Sequence, residues 1–175
     1  MAAASRKNPP KSPQSGVPFL LSQLGAHVSA TFGRRIAALG LQKYHAGILS
    51  VLHNNPGLTQ QSLADLLGMF PSRLVALLDD LGRRKLIERR ESPTDRRTYA
   101  LHLTKAGRDA WAKIGKLSVQ MQDDLCAALS EKEQESLAGL LARIAAQQKI
   151  TPGVHPGYRQ MGGLCGDDDA AGLKG

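Results

Sequence analysis

Apolar positions recur at helical steps in six stretches of the chain and at strand steps in one. From Pro18 onward Phe19, Leu21, Leu24, Val28, Phe32, Ile36 and Leu39 recur mostly three or four residues apart, which is one stripe of a helix. Pro18 suits its first turn and Gly40 its end. A second helix is predicted over 41–53, with Tyr44, Ile48, Leu49 and Leu52 inward, closed by the turn sequence Asn54-Asn55-Pro56-Gly57. Thr59 is a suitable N-cap for a short third helix that turns Leu63, Leu66 and Leu67 inward and stops at Gly68. Pro71 fits the first position of a fourth, in which Leu74, Leu77, Leu78 and Leu81 fall at i, i+3, i+4 and i+7 and form its core side. Ser72, Arg73, Val75, Ala76, Asp79 and Asp80 form the opposite face.

The periodicity then changes. Residues 87–91 and 98–103 read as two strands with partial alternation, joined by Ser92-Pro93-Thr94-Asp95. Proline presets φ and the aspartate can bond its own backbone, so this is a hairpin. Arg89, Arg90, Arg96 and Arg97 lie on or beside it, and at strand spacing Arg89 and Arg90 point to opposite faces. Beyond it Thr104 caps a fifth helix running to about Leu129, striped by Trp111, Ile114, Leu117, Met121, Leu125 and Leu129. Ser130 with Glu133 is a capping box opening a sixth, with Leu137, Leu140, Leu141 and Ile144 on one side.

The expected class is mainly α with a small β-hairpin wing. A short helix, a glycine-containing turn, a second helix and a basic hairpin, in that order, make a winged helix-turn-helix over 41–104. Such a helix fits the DNA major groove, and a hairpin tip can enter the neighbouring minor groove. Helices at 17–40 and 105–150 carry apolar stripes that a unit of this size cannot cover, so they are expected to pack on one another and on a second copy as dimerisation helices. Residues 1–16 read as a flexible basic arm and 151–175 as a flexible tail, in which nine of 25 residues are Pro or Gly.

The distribution of charge sharpens this picture. The net charge is +8; residues 1–40 hold five bases and no acid, 41–105 ten bases and six acids, and 106–175 eight bases and nine acids. The positive charge therefore accompanies the reading unit and what precedes it, as an anionic partner such as double-stranded DNA requires. Cys126 and Cys165 lie far apart without metal-ligand spacing, so neither a disulfide framework nor a zinc site is expected, and Cys126 fits a core thiol. No apolar run is long enough to span a membrane and Met1–Pro10 lacks a signal-peptide core, which predicts a cytoplasmic protein. No Gly-x-Ser-x-Gly, P-loop, His-Glu-x-x-His or dinucleotide glycine pattern is present, so no enzyme and no cofactor is expected.

With these elements placed, the chain resembles the MarR family, the multiple antibiotic resistance regulators of bacteria and archaea, over about residues 19–148. The most specific match is the wing pattern Asp-x-Arg-x-x-x-Leu-x-Leu-Thr, met by Asp95, Arg97, Leu101, Leu103 and Thr104. Thr59-Gln60, Leu63-Ala64, Leu67-Gly68 and Leu86-Ile87-Glu88-Arg89 add to it. The resemblance implies a homodimeric DNA-binding repressor of a palindromic operator. In it Arg97 enters the minor groove, Asp95 holds the wing tip, Arg96 meets phosphate, and Ser72, Arg73, Val75 and Ala76 face the bases. Arg73 can grip guanine with two hydrogen bonds, and Val75 can meet a thymine methyl. It also implies a small aromatic or phenolic anion as effector, in a crevice that His27, Tyr44 and His45 could reach; protonation of His27 at lower pH would strengthen such binding.

Three positions depart from the family pattern. Ala76 stands where a polar or basic residue is common, Phe70 where a capping side chain is expected, and Lys85 where glycine would adopt positive φ. A winged helix used for protein or RNA contact is the competing reading, which requires neither Arg97 on duplex DNA nor a two-fold target. The wing assignment predicts that Arg97→Ala weakens operator binding markedly with little loss of stability; an unchanged dissociation constant by fluorescence anisotropy would remove it.

Overall fold

The computed structural model describes residues 16–91, 99–155 and 157–160. Helix α1 (Val17–Ala37) leads through a turn, with Gly40 at φ 72°, into α2 (Lys43–Asn54). Helix α2 starts two residues later than its apolar period predicts. Leu41 is spent instead on the turn, where its N–H donates to Ile36 O at 3.2 Å, and Gln42 and His45 form a reciprocal cap. The next turn places Gly57 at φ 88°, and its N–H donates to Leu101 O at 3.0 Å. This lays Leu58–Thr59 down as a strand, β1.

Helix α3 (Gln60–Leu67) begins on Thr59, whose Oγ1 accepts the Ser62 N–H at 3.1 Å, and ends at Gly68 in the left-handed region, φ 62°. Helix α4 (Pro71–Arg83) follows after two residues, one of which, Met69, is buried against the core. Strands β2 (Ile87–Glu91) and β3 (Tyr99–Leu103) pair antiparallel with Ile87 opposite Leu103 and Glu91 opposite Tyr99. The sheet has three strands in the order β1-β3-β2, one more than the hairpin read from the sequence. A two-residue strand has no period to recognise; only its pairing with Ala100 and Leu101 defines it.

The core lies where α2, α3, α4 and the sheet meet. Ile48, Leu49, Leu52, Leu63, Leu67, Leu74, Leu78, Leu81 and Leu101 are all but inaccessible there. Ile36 from α1 and Ile114 from α5 (Lys105–Leu125) reach into it from outside the reading unit. Helix α5 stops at Leu125 instead of running to about Leu129. A turn closed by Leu129 N–H on Cys126 O at 2.8 Å intervenes, and it keeps Leu129 partly inward, so the apolar stripe runs on although the helix has ended. Helix α6 (Glu131–Gln147) carries the expected Ser130–Glu133 capping box.

The segment after α6 also departs from expectation. Residues 151–155 and 157–160 return to the body of the protein, and the short α7 (Gly157–Gln160) seats Tyr158 with 5% of its surface exposed. Pro and Gly content predicts a lack of regular structure but is blind to one aromatic anchor that finds a cleft.

The end of α4 decides where the wing and α5 go. Lys85 takes φ 57°; its N–H donates to Gly82 O at 2.8 Å and that of Leu86 to Leu81 O at 3.0 Å. This is the left-handed helix stop in which glycine is usual, so a lysine here carries a cost of about 1 kcal/mol. Immediately beyond, Thr104 N–H donates to Leu86 O at 3.1 Å and Thr104 Oγ1 donates to Lys85 O at 2.6 Å. The same hydroxyl accepts the Gly107 N–H at 3.0 Å and so caps α5. A Cβ on Gly107 would lie 2.0 Å from Leu86 O, so only glycine permits this approach. Gly107→Ala should therefore lower stability by at least about 1–3 kcal/mol in urea titrations. Gly115→Ala on the same helix, where a Cβ meets nothing within 4 Å, should leave it equal or raise it by up to about 1 kcal/mol.

Candidate nucleic-acid interface and the crevice behind it

Helix α4 presents Ser72, Arg73, Val75, Ala76 and Asp79 to solvent while Leu74, Leu78 and Leu81 are buried, the division its period predicts. Its start has no side-chain cap; Phe70 is exposed and its carbonyl accepts the Arg73 and Leu74 N–H groups at 3.1 Å. Pro71 removes one of the donors that a cap would have served. The hairpin is pinned beside this helix by an ion pair from Arg89 to Asp79 at 2.7 Å. Arg90, on the other face of the strand, pairs with Glu88. Asp95, Arg96 and Arg97 lie outside the described residues.

The far end of α4 is held by Asp80. It accepts Arg84 Nε at 2.7 Å and Arg83 at 3.1 Å, and Arg84 reaches on to Gly40 O at 2.8 Å, tying α4 to the corner between α1 and α2. The Arg84 hydrogen bond holds the Asp80 carboxyl below its usual range. His45, 1% exposed, points into this cluster with Nε2 3.4 Å from Asp80 Oδ2, outside hydrogen-bond geometry, while its Nδ1 accepts the Gln42 N–H at 3.4 Å. Burial lowers the imidazole's pKa more than the Asp80 carboxylate raises it, since that carboxylate is already occupied by Arg84. His45 is thus a neutral core residue, remote in role from the effector contact expected of it.

On the opposite side of α2 lies a cavity of about 640 Å³ between α1, α5 and the segment after α6. Val28, Phe32, Tyr44, Trp111 and Ile114 supply apolar and aromatic wall; Lys43, Arg73 and His155 supply basic side chains, and no Asp or Glu is among the described residues that line it. Tyr44 is therefore in the crevice, whereas His27 is exposed on α1 outside its lining. Consecutive residues on a helix diverge by about 100°, so Tyr44 and His45 cannot both face the same space. Reasoning from the sequence missed Lys43, Trp111 and Tyr158. One cue to the crevice was available: Gly47 in the middle of α2, where glycine costs about 1 kcal/mol relative to alanine and asks for a packing reason.

Tyr158 is that reason. A Cβ on Gly47 would lie 1.5 Å from Tyr158 Oη and 2.5 Å from Cζ. The hydroxyl donates to Tyr44 O at 3.2 Å, and the two rings meet edge to face with centroids 5.7 Å apart. Burial pushes the phenol's pKa well above its ordinary value, so the ring is held as the neutral hydrogen-bond donor.

An exposed helix beside a three-stranded wing, carried on long flanking helices, defines a winged helix-turn-helix regulator. The sequence profile of the MarR family matches residues 39–98. The putative transcriptional regulatory protein for the hcr operon of Thauera aromatica is 42% identical over 106 residues, 61% of this chain; the chain spans 64% of that relative's length. Among solved structures, the transcriptional repressor CouR bound to a 23-mer DNA duplex is 31% identical with a TM-score of 0.67, covering 79% of this chain and 99% of its own. The S. aureus MepR–DNA complex shares the fold, at 22% identity and a TM-score of 0.63, with 78% of this chain and 99% of that one covered. The chain belongs to the MarR family.

The His45–Asp80 cluster makes stability depend on pH with a definite sign. The folded state holds the imidazole below its ordinary 6.5, so the unfolded chain binds the extra proton first; the stability is present above 6.5 and is lost as pH falls from there. Asp80, also lowered, adds loss only below its ordinary 3.8. The thermal midpoint should fall on acidification from about pH 7 to about pH 5, and His45→Gln should flatten that slope whatever it does to the midpoint itself.

Proposed function

We propose that this chain is a homodimeric DNA-binding repressor that reads a palindromic operator through α4 and the wing and is released by a small aromatic or phenolic anion. The observation that carries the reading is the double position of Arg73. It stands on the exposed face of α4, where a base would be met, and it is also part of the lining of the crevice. A ligand that draws on this guanidinium from inside alters the surface offered to DNA outside. The crevice suits an aromatic anion because its walls are aromatic and Lys43 and Arg73 stand among its described lining residues, which include no carboxylate. CouR, a repressor seen on DNA, supports the operator reading across nearly its whole length.

Dimerisation rests on unused apolar surface. Phe19, Leu20, Leu21 and Leu24 on α1 and Leu137, Leu140, Leu141 and Ile144 on α6 are each 38–53% exposed, and no residue of α6 is buried. Two large apolar faces of this kind support contact with another copy. The two reading heads would then meet half-sites about one helical turn, ~10 bp, apart.

The test is fluorescence anisotropy on duplexes from the chain's own upstream region against scrambled duplex over a salt series. Selective binding by two chains per site, weakening steeply with salt and reversed by an aromatic acid, is the expected result. Equal, salt-labile binding to both duplexes would leave only a basic surface and favour a protein or RNA partner. Arg73→Ala should relax preference at one or two base pairs by about 1–3 kcal/mol and blunt release by the acid; an unaltered sequence profile would move base reading elsewhere.

A further inference from the structure

The crevice already contains a phenol, that of Tyr158, delivered by the protein's own C-terminal segment. Three features show a subsite shaped to that group. Gly47 leaves out the one Cβ that would overlap the phenol's oxygen, although it stands in mid-helix where alanine is the better residue. The Tyr44 carbonyl accepts the hydroxyl at 3.2 Å, although it belongs to a helix whose carbonyls ordinarily bond along the chain. The Tyr44 ring meets the Tyr158 ring edge on at 5.7 Å. The link back to the fold is slight by comparison. Helix α7 is four residues long and opens on Gly157, and the segment reaches it through Pro152 and Gly153. Among the described residues of the segment, Val154 is the one apolar side chain besides Tyr158 that packs against the core, and only partly, so the subsite is the main hold on the ring.

We infer that the space held by Tyr158 is a binding subsite for a neutral phenolic ring, and that the segment around Tyr158 is a built-in competitor which a phenolic effector must displace. The inference rests on the crevice being the effector site, and it adds that the phenolic end of the effector enters un-ionised, any negative charge lying elsewhere on the molecule, and names the element that sets the affinity. The recognition is by a hydroxyl that donates to a backbone carbonyl, so a phenol is accepted where the same ring without the hydroxyl, or as phenolate, is not. A protein whose subsite is occupied binds its ligand only in the fraction of molecules in which the segment has left, and apparent affinity falls by that fraction. The segment would thus raise the effector concentration at which the repressor responds.

The experiment needs no DNA, so its failure leaves the operator reading standing. p-Cresol, the tyrosine side chain as a free molecule, is titrated into the full-length protein and into Tyr158→Ala, with toluene as the control lacking the hydroxyl. Binding is read by calorimetry and by emission of Trp111, the chain's one tryptophan and part of the crevice lining. Tyr158→Ala should bind p-cresol on the order of tenfold or more tightly than the unaltered chain, and toluene should gain much less. Adding Gly47→Ala, which fills the subsite while favouring the helix, should abolish the gain. Equal p-cresol affinity in the two proteins, weaker or absent binding to a folded Tyr158→Ala, or a gain that survives Gly47→Ala would each overturn the proposal. Should Tyr158→Ala fail to fold, Tyr158→Ser in its place is read by the same criteria, and its failure too would make Tyr158 a structural residue and overturn the competitor role.

Discussion

Everything that distinguishes this chain from a bundle of helices passes through the carbonyls of Lys85 and Leu86. The N–H groups of the same two residues end α4, the pair leads into the wing, and Thr104 bonds both carbonyls from the other side of the hairpin before capping α5 with the same hydroxyl. Three elements, α4, the strands of the wing and α5, are therefore oriented by one patch of backbone. The close approach of Gly107 to Leu86 O leaves no slack in that patch. A lysine at positive φ is tolerated there because the surrounding hydrogen bonds determine the backbone independently of it.

Charge in the reading unit is more structural than its total suggests. Of the arginines around α4 and the strands, Arg83 and Arg84 serve Asp80, Arg89 serves Asp79 and Arg90 serves Glu88. Exposed pairs of this kind stabilise little individually. Their use is positional: they set the angle between the wing and α4 and fasten α4 to the α1–α2 corner through Gly40. His45 belongs to that fastening, its buried neutral ring filling the space behind Asp80.

The two sides of α2 divide the protein's work. One side, with His45, Ile48, Leu49 and Leu52, is buried in the core with α4. The other, with Tyr44 and Gly47, faces the crevice and Tyr158. A helix two-sided in this way, together with Arg73 shared between the crevice and the exposed face of α4, is the route that the proposed function would use to carry occupancy behind α4 to the surface in front of it.

Local chemistry in the sequence determined the six main helices, the hairpin, the caps at Thr59, Thr104 and Ser130, the Gly68 stop and the positive φ of Lys85, because each depends on residues within one or two turns of one another. The exposed face of α4 was legible for the same reason: burying Leu74, Leu78 and Leu81 leaves Ser72, Arg73, Val75 and Ala76 outside. Contacts between segments distant in sequence were not. The third strand exists only by pairing with Leu101, and α5 ends in a turn that its apolar stripe runs through. Helix geometry parts Tyr44 from His45, but which of them faces the crevice is decided only once α2 has neighbours on both sides. Tyr158 finds the notch at Gly47 from 111 positions away, and no periodicity or composition relates the two. Hydrophobic spacing decides which face of an element is buried; only the assembled tertiary structure decides what it is buried against.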